Sequence, residues 1–83
     1  MIEITLGADA WKDVEPGVEA MVDRWLVGVG ASVRAGQLLA NVILVKTNQD
    51  IVAPVAGRIE KLLVQAGETF ARGKPIALLK EAQ

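Results

Sequence analysis

One side chain in this sequence is placed to do chemistry with another molecule. Lys46 lies in Val42-Ile43-Leu44-Val45-Lys46-Thr47-Asn48-Gln49-Asp50-Ile51-Val52, where two strand-like runs flank a short polar turn, the signature of a β-hairpin. An ammonium on a four-carbon stem, at or beside a hairpin tip, suits an outside partner far better than a core. Lys46 therefore reads as a handle for a covalent cofactor, with the rest of the chain as its rigid mount. The other usual reagents are missing. The chain has no cysteine and no histidine, which excludes a disulfide framework, a thiolate metal site and the commonest general base. No calcium-type ligand loop is present, so no metal site is expected. No paired-carboxylate constellation is present either, and an enzyme in its own right is the weakest reading.

The mount has to be a single domain running over residues 1–83, since 83 residues do not hold two cores. Half of the residues are apolar but only three are aromatic, so the core must come from Val, Leu, Ile and Ala. Nine basic and ten acidic residues leave a net charge of −1, which argues against a nucleic-acid surface. The start, Met1-Ile2-Glu3-Ile4, lacks the basic and long apolar runs of a signal peptide, and no apolar run reaches membrane-spanning length. A cytoplasmic protein without membrane contact is the expectation, and the domain itself is expected to be monomeric.

Ile2, Ile4 and Leu6 alternate with polar residues, which predicts an opening strand closed by Gly7. An acidic loop follows, from Ala8 to Gly17, with the Pro16-Gly17 turn signal. Trp11 within it reads as a plug at one end of the core, because an indole left in water forgoes a large burial gain. Val18 to Val27 predicts a long strand, with Trp25 in the core.

Here an internal repeat begins. Val22–Val42 lies over Ile59–Leu79 at a constant shift of 37 residues without a gap. Gly30 falls on Gly67, Val33 on Phe70, Gly36 on Gly73, Leu39 on Ile76 and Ala40 on Ala77. The glycines suit turns needing positive φ, and Val33 and Phe70 would pin those turns to the core. An apolar step of three, Val22 to Trp25 and Ile59 to Leu62, reads as a bulge that helps a sheet curl. Two copies are too few for a solenoid. The pattern predicts an all-β fold: a flattened β-barrel or sandwich of two antiparallel sheets with pseudo-two-fold symmetry. Its half-repeats span about 18–44 and 55–81, and the lysine hairpin, about 42–52, is their junction. Helix is not expected anywhere. Pro54 belongs at an edge or bend, and Pro75 to Lys80 form the last strand.

Taken as a set, Trp25-Leu26-Val27, Gly30 with Val33 and Gly36, Leu39-Ala40, Lys46, Ala53-Pro54-Val55 with Gly57, and Ala66-Gly67 resemble the biotinyl/lipoyl attachment family. The similarity is closest to the lipoyl domains of 2-oxoacid dehydrogenase acyltransferases, and it covers about residues 18 to 79. The resemblance implies the lipoyl-like barrel-sandwich hybrid, with four strands in each sheet. It implies lipoic acid joined covalently by an amide to Lys46, carrying acyl groups and reducing equivalents between active sites of a 2-oxoacid dehydrogenase-type complex. The domain would then be a carrier, part of a dihydrolipoamide acyltransferase. Its implied partners are a lipoate ligase or lipoyl transferase, the 2-oxoacid dehydrogenase component, and dihydrolipoamide dehydrogenase.

The hairpin departs from the family pattern. Lipoyl domains usually place Glu-Thr-Asp before the lysine, where this chain has Ile43-Leu44-Val45. Biotin carriers usually flank it with methionines, where this chain has Val45 and Thr47, so biotin is disfavoured. Ile43, Val45 and Thr47 are thus the residues by which a ligase would recognise the hairpin. Asp9, Asp13 and Glu15, which the resemblance places near the hairpin, are candidates for choosing the dehydrogenase partner. The competing reading is an unmodified lipoyl-like docking or assembly module with Ile43 and Val45 as an apolar contact.

Overall fold

Runs of β-branched and apolar residues broken by glycine give eight strands in the computed structural model, which describes residues 1–82. They are β1 (Ile2–Ile4), β2 (Ala20–Trp25), β3 (Ser32–Val33), β4 (Leu38–Leu44), β5 (Thr47–Val52), β6 (Gly57–Leu62), β7 (Thr69–Phe70) and β8 (Ala77–Glu81). Two four-stranded sheets result, in the orders β1-β8-β6-β3 and β5-β4-β2-β7, and every pairing is antiparallel. The expected all-β architecture of two antiparallel four-stranded sheets is the one observed.

The 37-residue repeat holds in three dimensions. The bulge in β2 lies between Val22 and Arg24, and its counterpart in β6 lies between Ile59 and Lys61. Gly30 N–H donates to the Ile59 carbonyl at 2.7 Å, and Gly67 N–H donates to the Val22 carbonyl at 2.7 Å. Leu26 N–H to the Leu39 carbonyl is matched by Leu63 N–H to the Ile76 carbonyl, both at 2.8 Å. Gly30, Gly36, Gly67 and Gly73 all have φ between +80° and +90°, the region where a Cβ is costly and glycine is not. Each half lends its short strand to the other half's sheet: β3 pairs with β6, and β7 pairs with β2.

The core follows the same symmetry. Its largest fully buried side chains form three repeat-related pairs: Val22 with Ile59, Leu39 with Ile76, and Val42 with Leu79. No polar or charged residue is buried among the described residues, so no buried charge has to be offset inside the barrel. Val33 and Phe70 are both buried and pin their turns as expected. Trp11 breaks the symmetry. It is 3% exposed and meets Phe70 edge-to-face, with centroids 6.3 Å apart and rings at 85°, a favoured aromatic geometry. The predicted plug is therefore present.

Several expectations need correction. A 3₁₀ turn over Ala8–Trp11 interrupts the loop read as helix-free; it delivers Trp11 onto Phe70. The strand predicted from Val18 to Val27 is confined to Ala20–Trp25, because Val18 bonds back to the Glu15 carbonyl in a turn. The opening strand stops at Ile4 although Leu6 is still buried, and the last strand runs Ala77–Glu81 rather than Pro75 to Lys80. Trp25 is half-buried rather than interior. Its Nε1–H donates to the Val64 carbonyl at 2.8 Å, so its polar edge ties one half of the barrel to the other.

Gly57 is a glycine for a different reason from the turn glycines. It lies buried in β6 opposite Glu81, and an added Cβ would strike the backbone carbonyl oxygen of Lys80. Its repeat counterpart, Ala20, carries that methyl group fully buried. Gly57→Ala should destabilise the fold by about 1–3 kcal/mol, as overpacking does, read as a lower midpoint in urea unfolding.

Candidate functional site

β4 and β5 are paired from Leu38↔Val52 to Leu44↔Thr47, so Val45 and Lys46 alone make the turn between them. The polar run Thr47-Asn48-Gln49-Asp50, expected as the turn, belongs instead to β5. As an edge strand, β5 tolerates polar residues, since one side of its ladder faces water. The Asp50 side chain accepts from Asn41 Nδ2 across the pair at 2.8 Å.

The tip has an unusual backbone. Val45 has φ +59°, while Lys46 does not have positive φ, the sign pattern of a type II′ two-residue hairpin turn. Glycine is the usual first residue of that turn. For a β-branched residue, a positive φ is a conformational outlier costing about 1–2 kcal/mol. Val45 is also 64% exposed, so its isopropyl group gains little from burial.

Lys46 is exposed at this tip. Among the described residues the ion pair found is Arg58 with Glu60, so no carboxylate holds the Lys46 ammonium. The four-carbon stem is free to extend toward a partner. Ile43 is half-buried, paired with Met21 on one side and Asn48 on the other. Thr47 is exposed opposite Leu44. Ile43, Val45, Lys46 and Thr47 therefore gather at one end of one sheet. Met21, which the sequence reading passed over, continues that apolar edge; its alternation within β2 was the available signal.

The acidic residues Asp9, Asp13 and Glu15 are all exposed, in the loop around Trp11. The chain returns from this loop into β2 at Ala20, and Met21 pairs with Ile43. Continuing that register by one step sets Ala20 level with Leu44, beside the lysine tip. The loop rests on β7, two strands across from β4, about 10 Å away at ordinary strand spacing. Loop and tip thus share an end of the sheet, although they do not form one closed pocket.

Arg72 fixes the loop in place. Its Nη2 donates to the Val14 carbonyl at 2.8 Å and to the Trp11 carbonyl at 3.3 Å. Its guanidinium carbon lies 5.6 Å from the centre of the Trp11 ring, within cation–π range. The Trp11 Nε1–H beneath has no acceptor. Sequence reading missed Arg72 because its partners are backbone carbonyls 58 and 61 residues away. Among the described residues, no group of three His, Cys, Asp or Glu side chains gathers that would hold a metal ion.

Two interlocked half-shells meet at a two-residue tip that holds Lys46 out in solvent. A family model described as "Biotin-requiring enzyme", the biotin/lipoyl model, matches residues 13–79, and the chain belongs to that biotinyl/lipoyl attachment family. It is 39% identical over 69 residues to a lipoamide acyltransferase component of the branched-chain alpha-keto acid dehydrogenase complex from Pseudomonas aeruginosa, a match covering 82% of this chain and 16% of that protein. It is 33% identical over 63 residues to the dihydrolipoyllysine-residue succinyltransferase component of the 2-oxoglutarate dehydrogenase complex from Staphylococcus saprophyticus, covering 76% of this chain and 15% of that protein. The chain thus spans about one-sixth of the length of these curated relatives.

Among solved structures, the fold matches the lipoyl domain of the 2-oxoglutarate dehydrogenase complex from Azotobacter vinelandii with a TM-score of 0.81, at 20% identity over the whole of both chains. It also matches a single-chain, multi-domain long-chain acyl-CoA carboxylase with a TM-score of 0.69, at 24% identity over 86% of this chain and 7% of that one.

Arg72→Ala should free the acidic loop without opening the barrel. Amide exchange should quicken at residues 10–18, where the carbonyl clamp is lost, while β4 and β6 keep their protection. Uniform loss of protection would show that Arg72 holds the whole fold instead.

Proposed function

We propose that Lys46 carries a covalently attached lipoyl group and that the domain serves as a swinging-arm carrier in a 2-oxoacid dehydrogenase-type complex. The observation that carries this reading is the exposed, unpaired Lys46 at a two-residue tip where the two half-repeats meet. The site fits the group: an amide needs a reachable amine, and no neighbouring side chain occupies or neutralises this one.

Attachment joins Lys46 Nζ to the carboxyl carbon of an activated lipoyl ester. The ammonium gives up one proton to free its lone pair, the new C–N bond forms as the activating group leaves with its bonding electrons, and loss of a second proton gives the neutral amide. This chain has no histidine and no cysteine, so the base that takes these protons belongs to a lipoate ligase or lipoyl transferase. When bound, the group supplies a disulfide able to take up acyl groups and electrons. The chain's own part is mechanical and selective. The barrel keeps the amine out of the core, and the tip limits the freedom of its root. Asp9, Asp13 and Glu15 offer a visiting 2-oxoacid dehydrogenase component a negative surface on the same end. Tethering raises the effective concentration of the bound group at each site to the millimolar range, about as short linkers do. Dihydrolipoamide dehydrogenase would restore the disulfide.

Intact mass after incubation with lipoate ligase, ATP and lipoate tests the attachment. The wild-type protein should gain one lipoyl increment, and Lys46→Arg should gain none. Wild-type protein left unmodified under conditions that load a known lipoyl domain removes the proposal. A biotin increment formed instead in the presence of biotin ligase would move the domain to the other branch of its family.

Asp13→Asn together with Glu15→Gln, which keeps a side chain that tolerates the φ of +65° at position 13, should slow reductive acylation of the loaded domain several-fold with its melting temperature unchanged. An unchanged rate would remove the loop from partner choice. The docking-module reading is favoured by one observation, the 64% exposure of Val45. It predicts that Lys46→Arg supports assembly as well as wild type in a pull-down with the complex.

A further inference from the structure

Val45 is the anomaly of the tip. A two-residue turn with positive φ at its first position is filled most cheaply by glycine, or by asparagine or aspartate, whose short polar side chains tolerate that region. This chain places a β-branched residue there at φ +59° and leaves it 64% exposed. Neither folding nor burial accounts for the choice. Strained residues persist where a function needs the side chain that carries the strain. The side chain here is an apolar group one residue from the lysine. Ile43 and Met21, both half-buried and paired in register, extend it along the outer surface of the same sheet end. No ion pair in the described residues lies at this tip.

We infer that Val45, backed by Ile43 and Met21, is the surface through which the enzyme that acylates Lys46 recognises this domain, by an apolar contact rather than by charge. The inference rests on the reading of Lys46 as an acylation site. The partner is the acylating enzyme rather than a later visitor because of reach. To form the amide, that enzyme must bring its activated carboxyl to Nζ itself and so must close over the root of the lysine, where Val45 stands. An enzyme acting on the far end of a loaded arm has no such need.

Folding and recognition then make opposite demands at residue 45, and the test uses that opposition. Val45→Asn keeps the turn, relieves the backbone and removes the apolar contact. Its melting temperature should rise, while kcat/KM for loading by lipoate ligase with ATP and lipoate, followed by intact mass, should fall at least about tenfold, chiefly through KM. That is the scale of losing a small apolar group from a fitted pocket. Val45→Ile keeps the apolar contact and should load much faster than Val45→Asn. Val52→Asn, an exposed valine at the other end of β5, should leave loading unchanged.

Loading of Val45→Asn at or above the wild-type rate overturns the inference, as does a melting temperature that fails to rise. If only Val45→Asn is loaded, the apolar shoulder obstructs rather than recruits, and the inference falls while Lys46 stands as the site. Slowing confined to reductive acylation of already loaded protein would assign the surface to a different enzyme and overturn it equally. If neither wild type nor Val45→Asn is loaded beside a known lipoyl domain that is, Lys46 is not the acceptor, and both readings go together.

Discussion

The structure depends on a reciprocal pair of backbone hydrogen bonds. Gly30 N–H reaches the Ile59 carbonyl and Gly67 N–H reaches the Val22 carbonyl, each at 2.7 Å. Each bond sits where a glycine turn of one half meets the bulged strand of the other. A side chain at either glycine would oppose the positive φ that aims its N–H. With both bonds made, each half hands a two-residue strand to its neighbour, and the two sheets close over one apolar core. The Trp25 indole adds a third tie, to Val64.

That closure determines what the lysine tip can be. A two-stranded hairpin alone is marginal in water, and Lys46 on a loose hairpin would sample many directions. In the folded domain β4 lies between β5 and β2, and its own Val42 and Leu44 are buried in the core. The tip that carries the lysine is therefore held by strands anchored in the core, and the lysine stem is the part left free. Rigidity at the root and freedom at the amine come from the same strand.

Much of this was legible in the sequence because the repeat is a physical constraint written twice. Gly30 and Gly67, or Val22 and Ile59, answer the same demand at two places, and the constant 37-residue shift exposes them. Features present once were harder to read. Thr47 to Asp50 looks like a turn by composition, yet it is a strand because it lies on a sheet edge where polar side chains cost little. Trp25 looked interior by bulk, but its N–H needed an acceptor and drew it to the rim. Arg72 gave no local signal, since what it clamps lies on the far side of the sequence. Val45 was visible as a departure from the family's acidic flank. Its backbone strain was not, because that depends on the turn having two residues rather than more.

The short tip also bears on the order in which the molecule assembles. β4 and β5 are adjacent in sequence and joined by two residues. The other pairings join strands separated by longer stretches, up to β1 with β8 at opposite ends of the chain. Local pairs close in microseconds, whereas distant ones must first overcome a larger loss of chain entropy. The ribbon that presents Lys46 is thus the piece the nascent chain can sketch first. β2, the strand beside β4 in its own sheet, precedes it in the chain, but the opposite sheet that closes over the core is complete only when β8 has been made, so the hairpin can exist before the core that stiffens it.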